Sequence, residues 1–430
     1  MRYTGNKSVI RMGDEESAKS IKILFLSLLD FNSVDERNIY TDLLREFIKN
    51  GHEVCAISPV ESRKNEKTHV IYEDSCRILK LRIGNTQKTS IIEKGISTLL
   101  IEPQFILGIK RYFRDVKFDL ILYATPPITF CRVIEYVKYR DGARSYLMLK
   151  DIFPQNAVDI GIMSKAGIKA PLYRYFRTKE KRLYNISDRI GCMSLANVKY
   201  VFKNNSETKR RHIASIKANG KGIVEICPNS VEPMDLSLTD EERSEIRKKY
   251  NISLDKIVFV YGGNLGKPQG IPFLIECLQL CEDLDNVYFL IVGDGTEYSL
   301  LYDYMKKEKP DNVKLMSRLP KEDYDSMVAA CDVGMIFLDH RFTIPNFPSR
   351  LLSYLQAKLP VLACTDPNTD IGDVIVGGGF GWWCESNDSD RFKKIVSSIK
   401  KEGLTTLGNL GYKYLVDYYD TKKGYQMIMK

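Results

Sequence analysis

The sequence predicts an α/β chain built from two Rossmann-like domains in tandem, and three observations carry that expectation. The 430 residues exceed the roughly 100–200 residues of one ordinary domain. Short, uninterrupted apolar runs alternate with helical patterns, as buried parallel strands and their crossover helices do. The alternation stops at a proline-containing break and then restarts.

Taken in order, Ile21 to Leu29 is an apolar run with a single Lys, read as the first strand. A helical pattern from Ile39 to Asn50 ends at Gly51, and Val54 to Ile57 is the next strand. Leu120 to Tyr123 (strand), Ile128 to Tyr139 (helix) and Tyr146 to Leu149 (strand) repeat the unit. The break is Cys227-Pro228-Asn229-Ser230-Val231-Glu232-Pro233, with turn residues and two prolines. Beyond it come a charged helix from Asp240 to Tyr250 and a strand from Ile257 to Tyr261. The turn Gly262 to Gly270 leads into a helix from about 271 to 284. Val287 to Val292, Val333 to Phe337 and Val361 to Ala363 complete the strands. The domain boundary falls near residue 230.

Composition narrows the class. With 44% hydrophobic and 28% charged residues, the chain is not disordered, collagenous or a disulfide scaffold. Ten cysteines without a Cys-x-x-Cys pair read as reduced cytosolic thiols. Residues 1–20 are polar, with Asp14, Glu15 and Glu16 where a signal peptide has its apolar core; they read as a short disordered lead. The longest oily stretch, Ile96 to Ile109, is interrupted by Glu102 and Pro103 and falls short of the ~20 residues a membrane span needs. The net charge of +9 is uneven: residues 1–230 hold 40 Lys+Arg and 25 Asp+Glu, leaving 24 and 30 for the remainder. A basic first half and an acidic second half indicate different partners, with an anionic surface opposite the first.

Two turns in the second half are candidate anion sites. Gly262 to Gly270 ends a strand and opens a helix, with Lys267 as an available cation. An ordinary strand-to-helix turn is the competing reading. The spacing is neither Gly-x-Gly-x-x-Gly nor a Walker motif, which disfavours a dinucleotide dehydrogenase or P-loop ATPase. Phe347-Pro348-Ser349-Arg350 precedes an apolar helix from Leu351 to Ala357, with Ser349 as a potential cap. A cap with no ligand is its alternative.

The order Tyr261-Gly262-Gly263-Asn264-Leu265-Gly266, Val292-Gly293-Asp294-Gly295, Arg318-Leu319-Pro320, Cys331-Asp332-Val333 and Phe347-Pro348-Ser349-Arg350-Leu351-Leu352-Ser353-Tyr354 resembles the donor domain of GT-B glycosyltransferases. Within them it most resembles family 4, the bacterial branch that builds cell-surface polysaccharides. Pro228-Asn229-Ser230-Val231 resembles that family's interdomain segment. Leu149-Lys150-Asp151-Ile152-Phe153-Pro154-Gln155 resembles its acceptor-domain signature.

The resemblance implies a GT-B fold with a cleft between an acceptor domain, residues 21–230, and a nucleotide-sugar donor domain, residues 231–410. A C-terminal helix of about 411–430 can pack back on the first domain. It implies that Gly263 and Asn264 lie against the donor diphosphate with Lys267 close by. Arg318 and Leu319 match the nucleobase loop; Phe347, Pro348 and Ser349 match the turn at the sugar and phosphate; Arg350 is the cation beside it. Asp294, His340 and Ser353 complete the donor-binding set. The family's two glutamates would fall at Pro345 and Ser353, and neither is acidic here, which leaves the sugar and ribose contacts in doubt.

For retaining enzymes of this fold, similarity implies front-face substitution in which the departing diphosphate helps deprotonate the acceptor. That route needs cations and N–H donors on the leaving group, for which Lys267 and Arg350 are candidates. It needs no cofactor beyond a UDP- or GDP-sugar donor and no metal, since no Asp-x-Asp occurs in a suitable loop. Asp151 is the candidate for contacting the acceptor hydroxyl; a helix cap or a buried paired carboxylate is the alternative. His340 either reaches the sugar or lies in a plain surface loop.

Between Lys165 and Lys221 stand 15 Lys+Arg, and Ile168 to Tyr184 interleaves basic and aromatic residues at helical spacing. This suits an interfacial helix on anionic lipid, or equally a solvated helix with a core-facing stripe. Together with the lipid-linked saccharide acceptors of the resembling family, it leads to an expected cytoplasmic enzyme held peripherally on the inner face of the cell membrane, serving capsule, O-antigen or exopolysaccharide synthesis. No nucleic-acid motif is present. The alternatives are a nucleotide-sugar epimerase of the same fold, or a non-catalytic nucleotide-sugar or nucleic-acid binding module.

Overall fold

The computed structural model describes residues 20–86 and 91–430, so the expected lead lies, except for Ser20, outside the described residues. The first domain runs β1 (Lys22–Leu26), α1 (Thr41–Lys49), β2 (Glu53–Glu61), β3 (His69–Glu73), β4 (Cys76–Ile83) and α2 (Ile91–Tyr112). It continues with β5 (Leu120–Ala124), α3 (Cys131–Asp141), β6 (Arg144–Leu149), α4 (Gln155–Asp159) and α5 (Ala170–Ile186). It closes with β7 (Arg189–Cys192), α6 (Leu195–Asn204), α7 (Ser206–Asn219) and β8 (Val224–Ile226). The strands form one sheet in the order β3-β4-β2-β1-β5-β6-β7-β8, parallel except for the β3–β4 pair.

The second domain starts with α8 (Asp240–Lys249), β9 (Ile257–Asn264), α9 (Ile271–Leu280), β10 (Val287–Asp294) and α10 (Tyr298–Glu308). Next are β11 (Val313–Met316), α11 (Lys321–Ala329), β12 (Val333–Phe337), α12 (Arg350–Gln356) and β13 (Val361–Thr365). Last come α13 (Ile371–Gly377), β14 (Gly381–Glu385), α14 (Ser389–Ser398), α15 (Leu404–Tyr418) and α16 (Thr421–Met429). The sheet order β11-β10-β9-β12-β13-β14 is wholly parallel. Central strands such as β5 and β12 are buried along their whole length, because helices cover both faces.

The strands missed from the sequence are the edge strands β3, β8, β11 and β14 and the two next to an edge, β4 and β7. β3 has only half-buried and exposed residues at the sheet edge, and β8 has only three residues. β4 carries Lys80 in the interior, where its ammonium bonds Asp30, the Phe31 carbonyl at 2.9 Å and Ser58 Oγ at 3.3 Å. A charge at an interior strand position hides the apolar pattern.

Because the sheets are parallel, the loops after β1, β5 and β6 form one end of the first domain, and those after β9, β10 and β12 one end of the second. The two ends meet. Ile152 and Ile160 pack with Leu338, Phe342 and Ile344. The Asp159 carboxylate accepts from Thr343 N–H at 2.8 Å, and Asn197 Nδ2 donates to the Pro345 carbonyl at 2.8 Å.

The linker and the tail cross side by side: Val231 N–H donates to the Tyr419 carbonyl at 2.9 Å, and Thr421 N–H to that of Val231 at 3.1 Å. The tail then returns to the first domain, where Tyr425 packs edge-on against Phe47 of α1. His52, fully buried, accepts the Ile21 N–H on Nδ1 at 3.3 Å, so Nε2 carries the proton towards Tyr425 Oη at 3.0 Å. Burial holds its pKa below the usual 6.5. A neutral histidine in the folded state stabilises above the unfolded-state pKa and loses that contribution as pH falls below about 6.5. The urea midpoint is therefore expected to drop on acidification through that window, and less so in His52→Gln.

Candidate donor and acceptor site

On the second domain, β9 ends in Gly262-Gly263-Asn264, and its backbone lies directly over Arg350. Gly262 N–H donates to Tyr354 Oη at 3.2 Å, and Tyr354 Oη donates on to the Met335 carbonyl of β12 at 3.0 Å. A Cβ on Gly262 would overlap Tyr324 Oη. Gly263 has φ of +128°, and a Cβ there would stand 3.3 Å from Arg350 Nη2. Gly262 brings backbone against side chain where a Cβ would overlap, and the positive φ of Gly263 favours glycine there. Gly262→Ala is expected to destabilise the second domain by about 1–3 kcal/mol through this overpacking, read as a lowered urea midpoint.

Arg350 opens α12, and its guanidinium lies 4.3 Å from the Tyr261 ring centroid. Nη1 is enclosed and has no hydrogen-bond acceptor among the described residues. The N–H groups of Ser349 and Arg350 also find no acceptor among the described residues. An enclosed cation with donors left over favours an incoming anion, since burying a charge unpaired is costly. α12 has only seven residues, so its dipole contributes little and Arg350 supplies the charge.

The expected site residues divide into those that converge here and those that do not. Gly263 and Asn264 are exposed at the mouth. Lys267 is exposed on a single 3-10 turn, Lys267–Gln269, that separates the glycines from α9. The turn still runs into the helix, with Gly270 as the N-cap of α9, but Gly262 and Gly263 stand one 3-10 turn away from that helix end. Gln269 Oε1 already accepts Asn264 Nδ2 at 2.9 Å and Gly266 N–H at 3.3 Å, so part of the donor capacity of the turn is used internally. Asp294 ends β10, its Oδ1 accepting Gly295 N–H at 2.8 Å. Arg318 is exposed after β11, while Leu319 is half-buried against the domain core.

Ser349 does not cap α12: its backbone is already helical and its side chain makes no cap bond. Phe347 is buried against Tyr419, centroids 6.2 Å apart, so its ring anchors the turn and only its backbone faces outward. Pro348 has no N–H to offer, and Ser353 is half-buried on α12. Pro345, at the first glutamate position, is buried and contacts the other domain through Asn197. His340 is exposed, with Nδ1 3.8 Å from Asp339 Oδ1. Asp339 instead pairs with Arg341 through contacts of 2.9 and 2.7 Å.

Sequence reasoning missed Glu297, whose Oε2 is enclosed without a hydrogen-bond partner among the described residues. Burial raises its pKa, against the field of Lys267. It also missed the tyrosines around Arg350: Tyr261, Tyr324 and Tyr354 come from three separate elements, and no local spacing links them.

On the first domain, Thr125 Oγ1 pins the loop after β6 by donating to the Asp151 carbonyl at 3.0 Å and accepting Lys150 N–H at 3.1 Å. Lys150 Nζ bonds Asn229 Oδ1 of the interdomain linker and lies 4.8 Å from the Tyr40 ring centroid. The Asp151 carboxylate accepts no hydrogen bond from the described residues. Burial pushes Asp151 up to about 6, opposed by the Lys150 charge. Burial also brings Lys150 down to about 8. A carboxylate poised near neutrality, unpaired and at the domain junction, has the properties of a proton acceptor. Among the described residues no cluster of three or more His, Cys, Asp or Glu side chains is arranged to hold a metal.

Residues 242–412 match the family model described as Glycosyl transferases group 1. A probable glycosyltransferase, WbjE of Pseudomonas aeruginosa, is 23% identical over 338 residues, spanning 79% of this chain and 80% of its own. Among solved structures, sucrose-phosphate synthase from Thermosynechococcus elongatus superposes with a TM-score of 0.71 at 14% identity, covering 95% of this chain and 97% of its own. Anabaena Alr3699/HepE in complex with UDP gives 0.60 at 14% identity, over 95% and 98%.

Proposed function

We propose that this GT-B chain, whose residues 242–412 form a glycosyl transferases group 1 domain, moves a sugar from a UDP- or GDP-sugar to a lipid-linked saccharide. We read it as a family 4 hexosyltransferase of cell-surface polysaccharide synthesis, retaining in outcome and held at the cytoplasmic face of the membrane. The observation that carries the reading is the enclosed, acceptor-less Nη1 of Arg350 beneath Gly263. On the first domain, Asp151 supplies a base.

In this reading the diphosphate lies against Gly263, Asn264 and the Ser349–Arg350 amides, with Lys267 at the rim. The bond from the sugar's anomeric carbon to the phosphate oxygen breaks as the acceptor oxygen attacks. Negative charge then grows on the diphosphate, where Arg350 and the amides stabilise it most. The acceptor's proton passes to the departing phosphate or to Asp151. Arg318 and Leu319 flank the base.

The purified chain should release UDP or GDP from a matching nucleotide sugar, faster with acceptor present. Binding of a nucleotide sugar without any release would instead describe a non-catalytic module.

A further inference from the structure

The oiliest segment of the chain is not spent on the core. On α2, Ile101, Phe105 and Ile109 face inward. Ile96, Leu99, Leu100 and Leu107 are 56%, 63%, 46% and 64% exposed. With Pro103, also exposed, they repeat every three or four residues along one stripe, which ends in the exposed Lys110 and Arg111. An outward stripe of aliphatic residues on an already packed helix lacks a partner among the described residues.

Helix α5 lies beside it. Lys179 of α5 bonds Glu102 of α2 at 3.0 Å. A surface groove of about 480 Å³ is lined by Pro171, Arg174, Tyr175, Thr178, Lys179 and Arg182. Ile168, fully exposed, and Leu172, 51% exposed, extend the apolar part, while Lys165, Lys169 and Lys181 are exposed around it. The carboxylates of this face are already engaged: Glu102 with Lys179 and Glu135 with Arg182. Arg174 and Lys181 make no ion pair among the described residues. The groove adjoins the acceptor loop, since Phe153 packs on Phe176 at 5.0 Å and Phe176 on Tyr175 at 5.2 Å.

We propose that the outward stripe of α2 and the basic groove of α5 form one docking face for an anionic lipid bilayer, with the aliphatic residues entering the interface and Arg174, Lys181 and Lys110 meeting the headgroups. Apolar insertion flanked by Lys and Arg is the chemistry of an interfacial helix. This deepens the transferase reading and rests on it only for the lipid-linked nature of the acceptor. The face delivers such an acceptor beside the Asp151 loop.

The test is sedimentation of the full chain with phosphatidylglycerol-containing vesicles and with pure phosphatidylcholine vesicles. Binding to the anionic vesicles is expected to be at least about 10-fold tighter, as each basic residue near an anionic surface is worth about fivefold. Leu99→Ser/Leu107→Ser and Arg174→Glu/Lys181→Glu should each lose about 10-fold or more with unchanged unfolding temperature. These exposed positions are preferable to Lys179 and Arg182, whose ion pairs hold helices together. No binding to anionic vesicles, or wild-type binding by either variant, overturns the proposal. So does a dimer in light scattering that the leucine variant abolishes, which would assign the face to a second copy. UDP- or GDP-induced thermal shifts on the same samples separate the two readings. A retained shift without vesicle binding sinks this proposal alone, and vesicle binding without any shift sinks the transferase reading alone.

Discussion

Arg350→Ala should lower turnover by about two to three orders of magnitude, the loss typical when a preorganised donor to developing charge is removed. The guanidinium is stacked on Tyr261 and in contact range of Gly263, and its enclosed Nη1 has no acceptor among the described residues. That geometry is wasted unless an anion arrives, so the variant should lose nucleoside-diphosphate affinity together with kcat. Arg350→Lys should recover only a part: a lysine keeps the charge but neither stacks flat on Tyr261 nor presents a planar fork. Folding is a weaker readout, because removing an unpaired buried cation relieves a cost as well as a contact. A kinetic defect with an intact unfolding transition is the expected signature, checked by comparing kcat/KM with the urea midpoint.

Asp151→Asn should have an effect at least as large, a loss of about two to four orders of magnitude for a removed general base. Wild-type kcat/KM should fall as pH drops through about 6, where burial places this carboxyl, and the acid limb should vanish in the variant. Lys150 lowers the Asp151 pKa by its charge, so Lys150→Met should move the limb to higher pH. Stability should respond with the opposite sign. A carboxyl whose folded pKa is raised contributes stability at low pH that is lost as pH rises through about 6. At neutral pH, Asp151→Asn should therefore unfold at a higher temperature than wild type while turning over more slowly.

The two-sheet architecture was legible because buried parallel strands are written as contiguous apolar runs: β1, β5, β6, β9, β10, β12 and β13 all fall on segments read directly from the sequence. Edge and interior-charged strands were not. β3 faces solvent, and β4 buries Lys80 only because the loop after β1 supplies its partners. The site was legible where chemistry is local, as in Gly262-Gly263 and Arg350. It was illegible where chemistry depends on folding. Nothing near Ser349 in the chain shows that its backbone would already be helical and its hydroxyl idle. Nothing near Phe347 shows that Tyr419 would claim its ring. Tyr261 and Tyr324 approach Arg350 only through tertiary packing, and the exposure of Leu99 and Leu107 follows from which side of α2 the sheet takes.

The central claim, that the cleft binds a nucleoside diphosphate on Arg350 beneath Gly263, is tested most directly by calorimetric titration of the purified chain with UDP and GDP. The prediction is saturable binding of at least one of them to the wild type and its loss, by about 100-fold or more in affinity, in Arg350→Ala. Failure of both nucleotides to bind, or equal binding by the variant, would contradict it.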